Sequence, residues 1–411
     1  MSSPGLIRRG EQTTGQWLAL ALLAAVLILS MTTWFSASAV VSQLRAEWSL
    51  STSSAAWLTI AVQLGFVCGA LMSSLLNLSD IVSPRHVILG GSIGTMTANG
   101  LLGIAGGSTI GIPLRFATGF FLAGVYPPTL KLMSTWFRKG RGTALGLLIG
   151  ALTVGSATPH LVNGLGGLDW RTVIYTTSAL TLAGGLIAEF AVGEGPFPFP
   201  RAEFDPRQTR LVFANRGVRL ASLGYFGHQW EIYAMWTWFL VFFSDELADR
   251  GGSGSPAAAY ATFAVIGIGG LGCWVGGILG DRWGRTKIAA SMMVVSGTCA
   301  MSIGLLFGAP AWLVLLVGLV WGFTVVADSA QFSTMVTELA DQAYVGTALT
   351  LQLAAGFALT VGTIWLIPLL QDALGWRWAF AFLALGPALG VLAMLRLKSL
   401  PEAAHIAEGR G

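Results

Sequence analysis

Twelve stretches of about twenty mainly apolar residues run through this chain, near 17–39, 54–76, 86–107, 110–135, 143–163, 171–192, 218–243, 259–280, 286–307, 311–336, 343–368 and 376–396. An α-helix of about 20 residues crosses the hydrocarbon core of a bilayer. Backbone amides find no water there, so each segment must satisfy its own hydrogen bonds, as a helix does. Soluble architectures are thereby excluded. Composition agrees: hydrophobic residues make up 54% of the 411 and charged residues 10%, with a mean hydropathy of +0.70. A soluble domain carries about 25% charged residues. The first run follows Arg8 and Arg9, and Ala37-Ser38-Ala39 resembles a signal-peptidase site. The run is nevertheless as long as a full span, so it reads as an uncleaved first helix.

The longest polar interruption is residues 193–217, where Pro196, Pro198, Pro200 and Pro206 prevent a continuous helix. It divides the chain into a six-helix bundle over 1–192, a linker over 193–217 and a second six-helix bundle over 218–411. Of 23 Lys and Arg residues, 17 fall on the side of both termini, four on the other, and two, Arg115 and Lys131, within the fourth span. Basic residues favour the cytoplasmic side, which places both termini inside the cell and the chain in the cytoplasmic membrane. The net charge of +4 is small and dispersed, which argues against nucleic acid as a partner. Cys68, Cys273 and Cys299 sit in apolar stretches without metal-ligand spacing and read as small packing residues. Gly267-Ile-Gly269-Gly-Leu-Gly272 matches the dinucleotide fingerprint but lies inside a span, where close helix packing accounts for it. No cofactor and no metal are expected, and a single chain is expected to work as a monomer in lipid.

The two sixes resemble each other. Asp80 and Asp281 end the second and eighth spans, Gly142-Thr143-Ala144-Leu145 and Gly346-Thr347-Ala348-Leu349 open the fifth and eleventh, and Trp170-Arg171 and Trp376-Arg377 open the sixth and twelfth, at offsets of 201, 204 and 206 residues. Parallel six-helix halves of this kind are a transporter architecture. Gly277-Ile-Leu-Gly280-Asp281-Arg282-Trp283-Gly284-Arg285-Thr286-Lys287 resembles the loop signature of the major facilitator superfamily, Trp136-Phe137 to Ala144 resembles its segment after the fourth span, and Arg115 with Gly119 resembles its fourth-span element. The resemblance covers nearly the whole chain. It implies an all-α membrane protein of twelve helices in two pseudo-symmetric bundles, with spans one, four, seven and ten around a central cavity. It also implies a cytoplasmic gate of Asp80, Arg85, Gly277, Asp281, Arg282, Gly284 and Arg285 that holds that side shut. The first-half copy departs from the signature at Ile81 and at Ser83-Pro84.

Ionisable groups inside a span cost about 2.5–3.5 kcal/mol on insertion scales and so face a partner or cavity water. His228 and Glu231 are three apart near the middle of span seven, on one helix face; Asp328 and Gln331 repeat that spacing in span ten. They suggest a coupled proton site of Glu231, His228 and Asp328. Gln229 turns about 100° away from His228. Arg115 and Lys131 of span four suggest attraction for a carboxylate. Trp34 and Tyr126, the latter before Pro127-Pro128, complete a substrate site with His228, Asp328 and Gln331. Trp236 and Trp238 fit a lipid-facing belt at least as well as a cavity wall. His160, beside Pro159, reads as a helix-end residue. The expected function is secondary transport of a small organic anion with protons. A drug or lipophilic-cation exporter exchanging for protons is the alternative; a membrane enzyme or receptor has no nucleophile, metal cluster or appended domain in its favour.

Overall fold

The computed structural model describes residues 4–137, 140–165, 169–197, 207, 209–249, 255–341 and 345–410. The described residues are helical apart from short connections. Span one is Pro4–Ser30, followed by a 3-10 turn at Met31–Thr33 and a four-residue helix at Ser36–Ala39. Span two is Thr52–Leu75, three is Pro84–Leu102, four is Ser108–Leu122 with Tyr126–Ser134, five is Arg141–Gly164 and six is Trp170–Ala191. In the second half, span seven is Arg216–Asp249, eight is Ser255–Gly267 with Gly269–Trp283, nine is Arg285–Ile303, ten is Ala311–Ala327 with Ser329–Leu339, eleven is Val345–Leu374, and twelve runs from Trp376–Ala379 to Leu385–Lys398. Among the described residues ten helices are long and apolar enough to cross a membrane. Spans three and seven are not among the ten. The first carries Ser92, Thr95 and Asn99 on its buried face, the second His228, Gln229 and Glu231. Both nevertheless pack among the others, three against six and four, seven against twelve and eleven.

Helix neighbours repeat between the halves. Two packs on four, three on four and six, and one on five and six; eight packs on ten, nine on ten and twelve, and seven on eleven and twelve. The halves meet through five against eight and two against eleven, which are themselves related by the repeat. Glycines set the closest approaches. A Cβ on Gly69 would lie 2.3 Å from Phe120 O and one on Gly119 2.0 Å from Val62 O. In the second half, a Cβ on Gly272 would lie 2.0 Å from Phe323 O and one on Gly322 1.7 Å from Val265 O. All four residue pairs (69/272, 119/322, 62/265 and 120/323) share one offset of 203. The breaks obey it too, since the second helices of spans four and ten begin at Tyr126 and Ser329. Without a hydrophobic force between helices in lipid, such backbone contact through small residues is a main source of association.

Gly119→Ala must therefore pry spans two and four apart. Overpacking of this kind costs about 1–3 kcal/mol, read as a lowered Tm of the purified protein in detergent. Gly90, with nothing within 4 Å of its added Cβ, is the matched control. Gly90→Ala should leave Tm unchanged or raise it, because alanine is the better helix former.

Candidate functional site

The break in span one is the feature from which the centre is built. Between Ser30 and Ser36 the α-helix gives way to a 3-10 turn and two non-helical residues, Trp34 and Phe35. Freed carbonyls at membrane depth need donors from the protein. Arg115 of span four supplies them. Its Nε donates to Leu58 O at 3.1 Å, its Nη1 to Thr33 O at 2.9 Å, Ser36 Oγ at 3.1 Å and Asn99 Oδ1 at 2.9 Å, and its Nη2 to Trp34 O. Asn99 is tied in turn to Ile174 O, Thr177 and Ser178 of span six. The guanidinium is fully buried. The expected grip on a substrate carboxylate meets a different arrangement: this fork is turned onto the broken turn of span one. Lys131, one turn from the end of span four, is half-buried.

Held this way, Trp34 and Phe35 project toward the second half. Trp34 lies 4.9 Å from Phe66 of span two, 5.8 Å from Tyr233 of span seven and 5.5 Å from Phe357 of span eleven, measured between ring centroids. Phe35 lies 5.8 Å from Trp236 and 6.1 Å from Tyr233. Phe66 lies 4.9 Å from Phe357 and 6.3 Å from Tyr126. The rings of both halves thus interlock into an aromatic cage, with Tyr126 at the start of the second helix of span four. Trp236 is 1% exposed and Trp238 3% exposed, so neither belongs to a lipid belt. Trp236 is part of the cage, whereas Trp238 donates to Ile364 O of span eleven at 2.9 Å. Trp230 packs outside the cage on Phe382 of span twelve.

The polar residues of span seven separate into two networks. His228 Nδ1 stands 2.8 Å from Asp328 Oδ1, both side chains buried. Asp328 is the residue between the two helices of span ten, which brings its carboxyl to the imidazole. Glu231 faces elsewhere: its Oε1 accepts from Trp321 Nε1 at 2.7 Å and its Oε2 from Ser296 Oγ at 2.9 Å, in spans ten and nine. Sharing a helix face therefore did not make His228 and Glu231 one bonded pair. Gln229 donates to Tyr225 O–H, apart from both, as its angle around the helix implied. Gln331 also differs from the expected place at the substrate. Its Nε2 donates to Gly276 O at 3.0 Å and its Oε1 accepts from Arg285 at 3.3 Å.

Arg285 is the hub of the loop between spans eight and nine. It pairs with Asp281 at 2.9 Å and with Glu338 of span ten at 3.1 Å. The turn that allows this is Gly284, whose φ of +99° lies in the region that favours glycine. Gly142 of span five abuts this carboxylate, a Cβ there lying 3.0 Å from Asp281 Oδ2. A Cβ on Gly277 would stand 3.5 Å from Gly142 O. Nearby, Ser74 of span two bonds Thr350 of span eleven at 3.3 Å, so the halves meet at this end. They also meet at the other, where a Cβ on Gly164 would lie 2.9 Å from Tyr260 of span eight. Arg282 points outward and is exposed. Arg85 donates to Glu189 O at 3.4 Å, within the first half. The Asp80 side chain, the pair Arg138-Lys139 and linker residues 198–206 lie outside the described residues. Glu338, next to the last residue of Ser329–Leu339, looks in the sequence like any loop-side acid.

Several buried polar groups lack hydrogen-bond partners, four of them on spans one, two, five and seven. Trp34 Nε1, Trp236 Nε1, both amide atoms of Gln63 and both ring nitrogens of His160 are buried with no hydrogen-bond partner among the described residues. Gln63 had a signal in sequence: it is the lone amide in the span-two stretch before Asn77. Phe66 and Phe357 had none, since a phenylalanine in a membrane run does not declare which way it faces.

The family model of the Major Facilitator Superfamily matches residues 22–358. Over 141 residues the chain is 33% identical to a putative uncharacterized transporter of Escherichia coli, YgaY, covering 33% of this chain and 34% of that protein. The chain thus spans about a third of the length of that relative. The MFS transporter asaE of Aspergillus flavus is 24% identical over 265 residues, covering 62% of this chain and 57% of its own. Among solved structures, a D-xylose–proton symporter superposes with a TM-score of 0.73 at 15% identity, over 95% of this chain and 98% of that one. A bacterial homologue of the human lysosomal transporter Spinster, inward-facing and unoccupied, gives a TM-score of 0.66 at 15% identity, over 93% and 95%. These likenesses speak for the fold. With the family model extending over most of the chain, through both halves and the repeat that relates them, the protein belongs to the Major Facilitator Superfamily and is a multi-pass membrane protein.

Proposed function

We propose that the chain moves a small organic anion together with protons across the cytoplasmic membrane by alternating access, with both termini in the cytoplasm and a single chain as the working unit. Its buried carboxyls carry this reading. Glu231 meets only the neutral donors Ser296 and Trp321, and Asp328 meets the titratable His228. Neither carboxyl has a guanidinium or ammonium against it among the described residues. A buried ionised carboxylate without a fixed counter-charge is costly, and a proton is the charge that can arrive and leave. Taking one up neutralises the group before the two halves rock about the cage; losing it resets the cycle. Among the described residues the aromatic cage contains no acidic side chain, which favours an anion as its guest. Trp34 and Tyr126 line it, Lys131 adds a positive charge on span four, and Arg115 acts as a positioning residue for Trp34. The cluster of Asp281, Arg285, Glu338 and Gly284 serves as the cytoplasmic gate.

Rings in a cage also suit a lipophilic cation, so the assay must separate the two. In proteoliposomes, an imposed inside-alkaline gradient should drive accumulation of a labelled organic acid, and a protonophore should abolish it. Accumulation that follows sodium instead of the pH gradient would sink the proton role. Exchange of a lipophilic cation against protons, with no acid moved, would identify an exporter.

A further inference from the structure

The unpaired polar atoms at the centre carry more information than the rings around them. Trp34, Gln63, His160 and Trp236 are each 0–1% exposed, and six of their nitrogen and oxygen atoms lack partners. Buried polar side-chain atoms in folded proteins are in large majority paired, so the two unpartnered indoles of the cage, Trp34 and Trp236, with Gln63 one turn from Phe66, mark a place for a ligand. The four side chains come from spans one, two, five and seven, hence from both halves. Gln63 shares a helix face with Thr59 and Phe66, and Phe66 stacks near Trp34 at 4.9 Å. His160 lies on span five one turn before Gly164, whose added Cβ would meet Tyr260 of span eight. That direction is the seam between the halves. Trp236 meets Phe35 at 5.8 Å and Tyr233 at 5.5 Å.

The atoms are unequal in kind. Each indole offers a donor and no acceptor, the amide offers both, and a neutral imidazole offers one of each. Donors outnumber acceptors, so the fitting guest is rich in acceptors: a carboxylate. The nearest guanidinium, Arg115, is already bonded to three backbone carbonyls. Among the described residues no cation lies in contact with the cage rings, which disfavours dicarboxylates and phosphates. The body of the guest follows from what separating the halves removes. Opening either side breaks the ring contacts Trp34–Tyr233, Trp34–Phe357, Phe35–Trp236 and Phe66–Phe357. A flat aromatic guest replaces those faces on both sides with the offset and edge-on geometry that rings prefer. A saturated ring of the same size fills the volume but not that geometry.

We infer that the cage binds an aromatic monocarboxylate, its ring between the aromatic faces of the two halves and its carboxylate on the N–H groups of Trp34, Trp236 and Gln63. This rests on the organic-anion reading above and narrows it. The test uses the purified full chain in detergent, with benzoate, cyclohexanecarboxylate and trimethylphenylammonium as probes, read by calorimetry and by thermal stabilisation. Benzoate should bind about tenfold tighter than cyclohexanecarboxylate, and Trp236→Phe or Gln63→Leu should each weaken benzoate about tenfold, the factor for one hydrogen bond of ordinary strength. Trp236→Phe keeps a ring in place, so it remains informative if Gln63→Leu folds poorly. Equal binding of the two acids, or variants that bind benzoate as the unmodified chain does, overturns the inference and leaves the anion reading standing. Stabilisation by the ammonium probe alone overturns both. A chain that answers to none of the three overturns the inference, while the liposome assay still decides the anion reading on its own.

Discussion

Arg115→Lys should lower the thermal stability of this protein more than any other single change considered above, even though it conserves charge. Five acceptors converge on the guanidinium: the carbonyls of Leu58, Thr33 and Trp34, the hydroxyl of Ser36 and the amide oxygen of Asn99. They come from spans one, two and three, and a planar five-donor fork matches their spread. An ammonium on a flexible stem has three donors and one centre, so at least two of the five hydrogen bonds are lost. Hydrogen bonds to a charged donor contribute about 1.5–3 kcal/mol each. The compact ammonium is also more strongly hydrated than a guanidinium and loses more on burial. A loss of about 3 kcal/mol or more follows, larger than for Gly119→Ala. The measurement is Tm of the purified variant, with Gly90→Ala as the neutral reference. If Arg115→Lys keeps the Tm of the unmodified chain and loses only ligand affinity, the guanidinium is a binding group and not a positioning one.

Glu231→Gln should reduce gradient-driven accumulation to the level of empty liposomes while leaving counterflow of the same substrate measurable. The geometry makes this substitution a clean one. A glutamine oxygen can accept from Trp321 Nε1, and its amide can donate to Ser296 Oγ, whose hydroxyl is free to turn toward Met293 O. The variant is thus a permanent mimic of the protonated acid, and its Tm should stay within about 1 kcal/mol of the original stability. Counterflow needs only that the loaded carrier cross. Net proton-driven uptake also needs the empty carrier to return after releasing its proton, which an amide cannot do. Survival of both activities would take Glu231 out of the coupling step and leave His228 with Asp328 as the remaining pair.

The two substitutions mark where reading the chain alone reached its limit. Arg115, His228 and Glu231 are conspicuous because charge inside a span is expensive, and that expense is visible in the sequence. Their partners are not. Helical spacing puts His228 and Glu231 on one face, but the face is wide enough to reach separate partners, Asp328 of span ten for His228, and Trp321 of span ten with Ser296 of span nine for Glu231. The same limit applied to Trp236. An indole in an apolar run suits lipid and cage equally well until the position of Phe35 is known. Phe66 carries no such mark, because nothing local distinguishes a phenylalanine that faces the other half from one that faces its own.

Length and apolarity of the runs, the proline-rich divide, the basic bias of the loops and the repeated Gly-Thr-Ala-Leu and Trp-Arg pairs are local or periodic properties, and they determined a two-half helical membrane protein before any fold was seen. Even the pairing of close contacts was present as the single 203-residue offset of Val62, Gly69, Gly119 and Phe120 from their second-half counterparts, because small residues mark where backbones touch. Which donors would be left without partners, and that they would gather with seven aromatic rings at the seam, was decided only in three dimensions. A sequence specifies what each side chain can bond; only the packing of one helix against another specifies what it is denied.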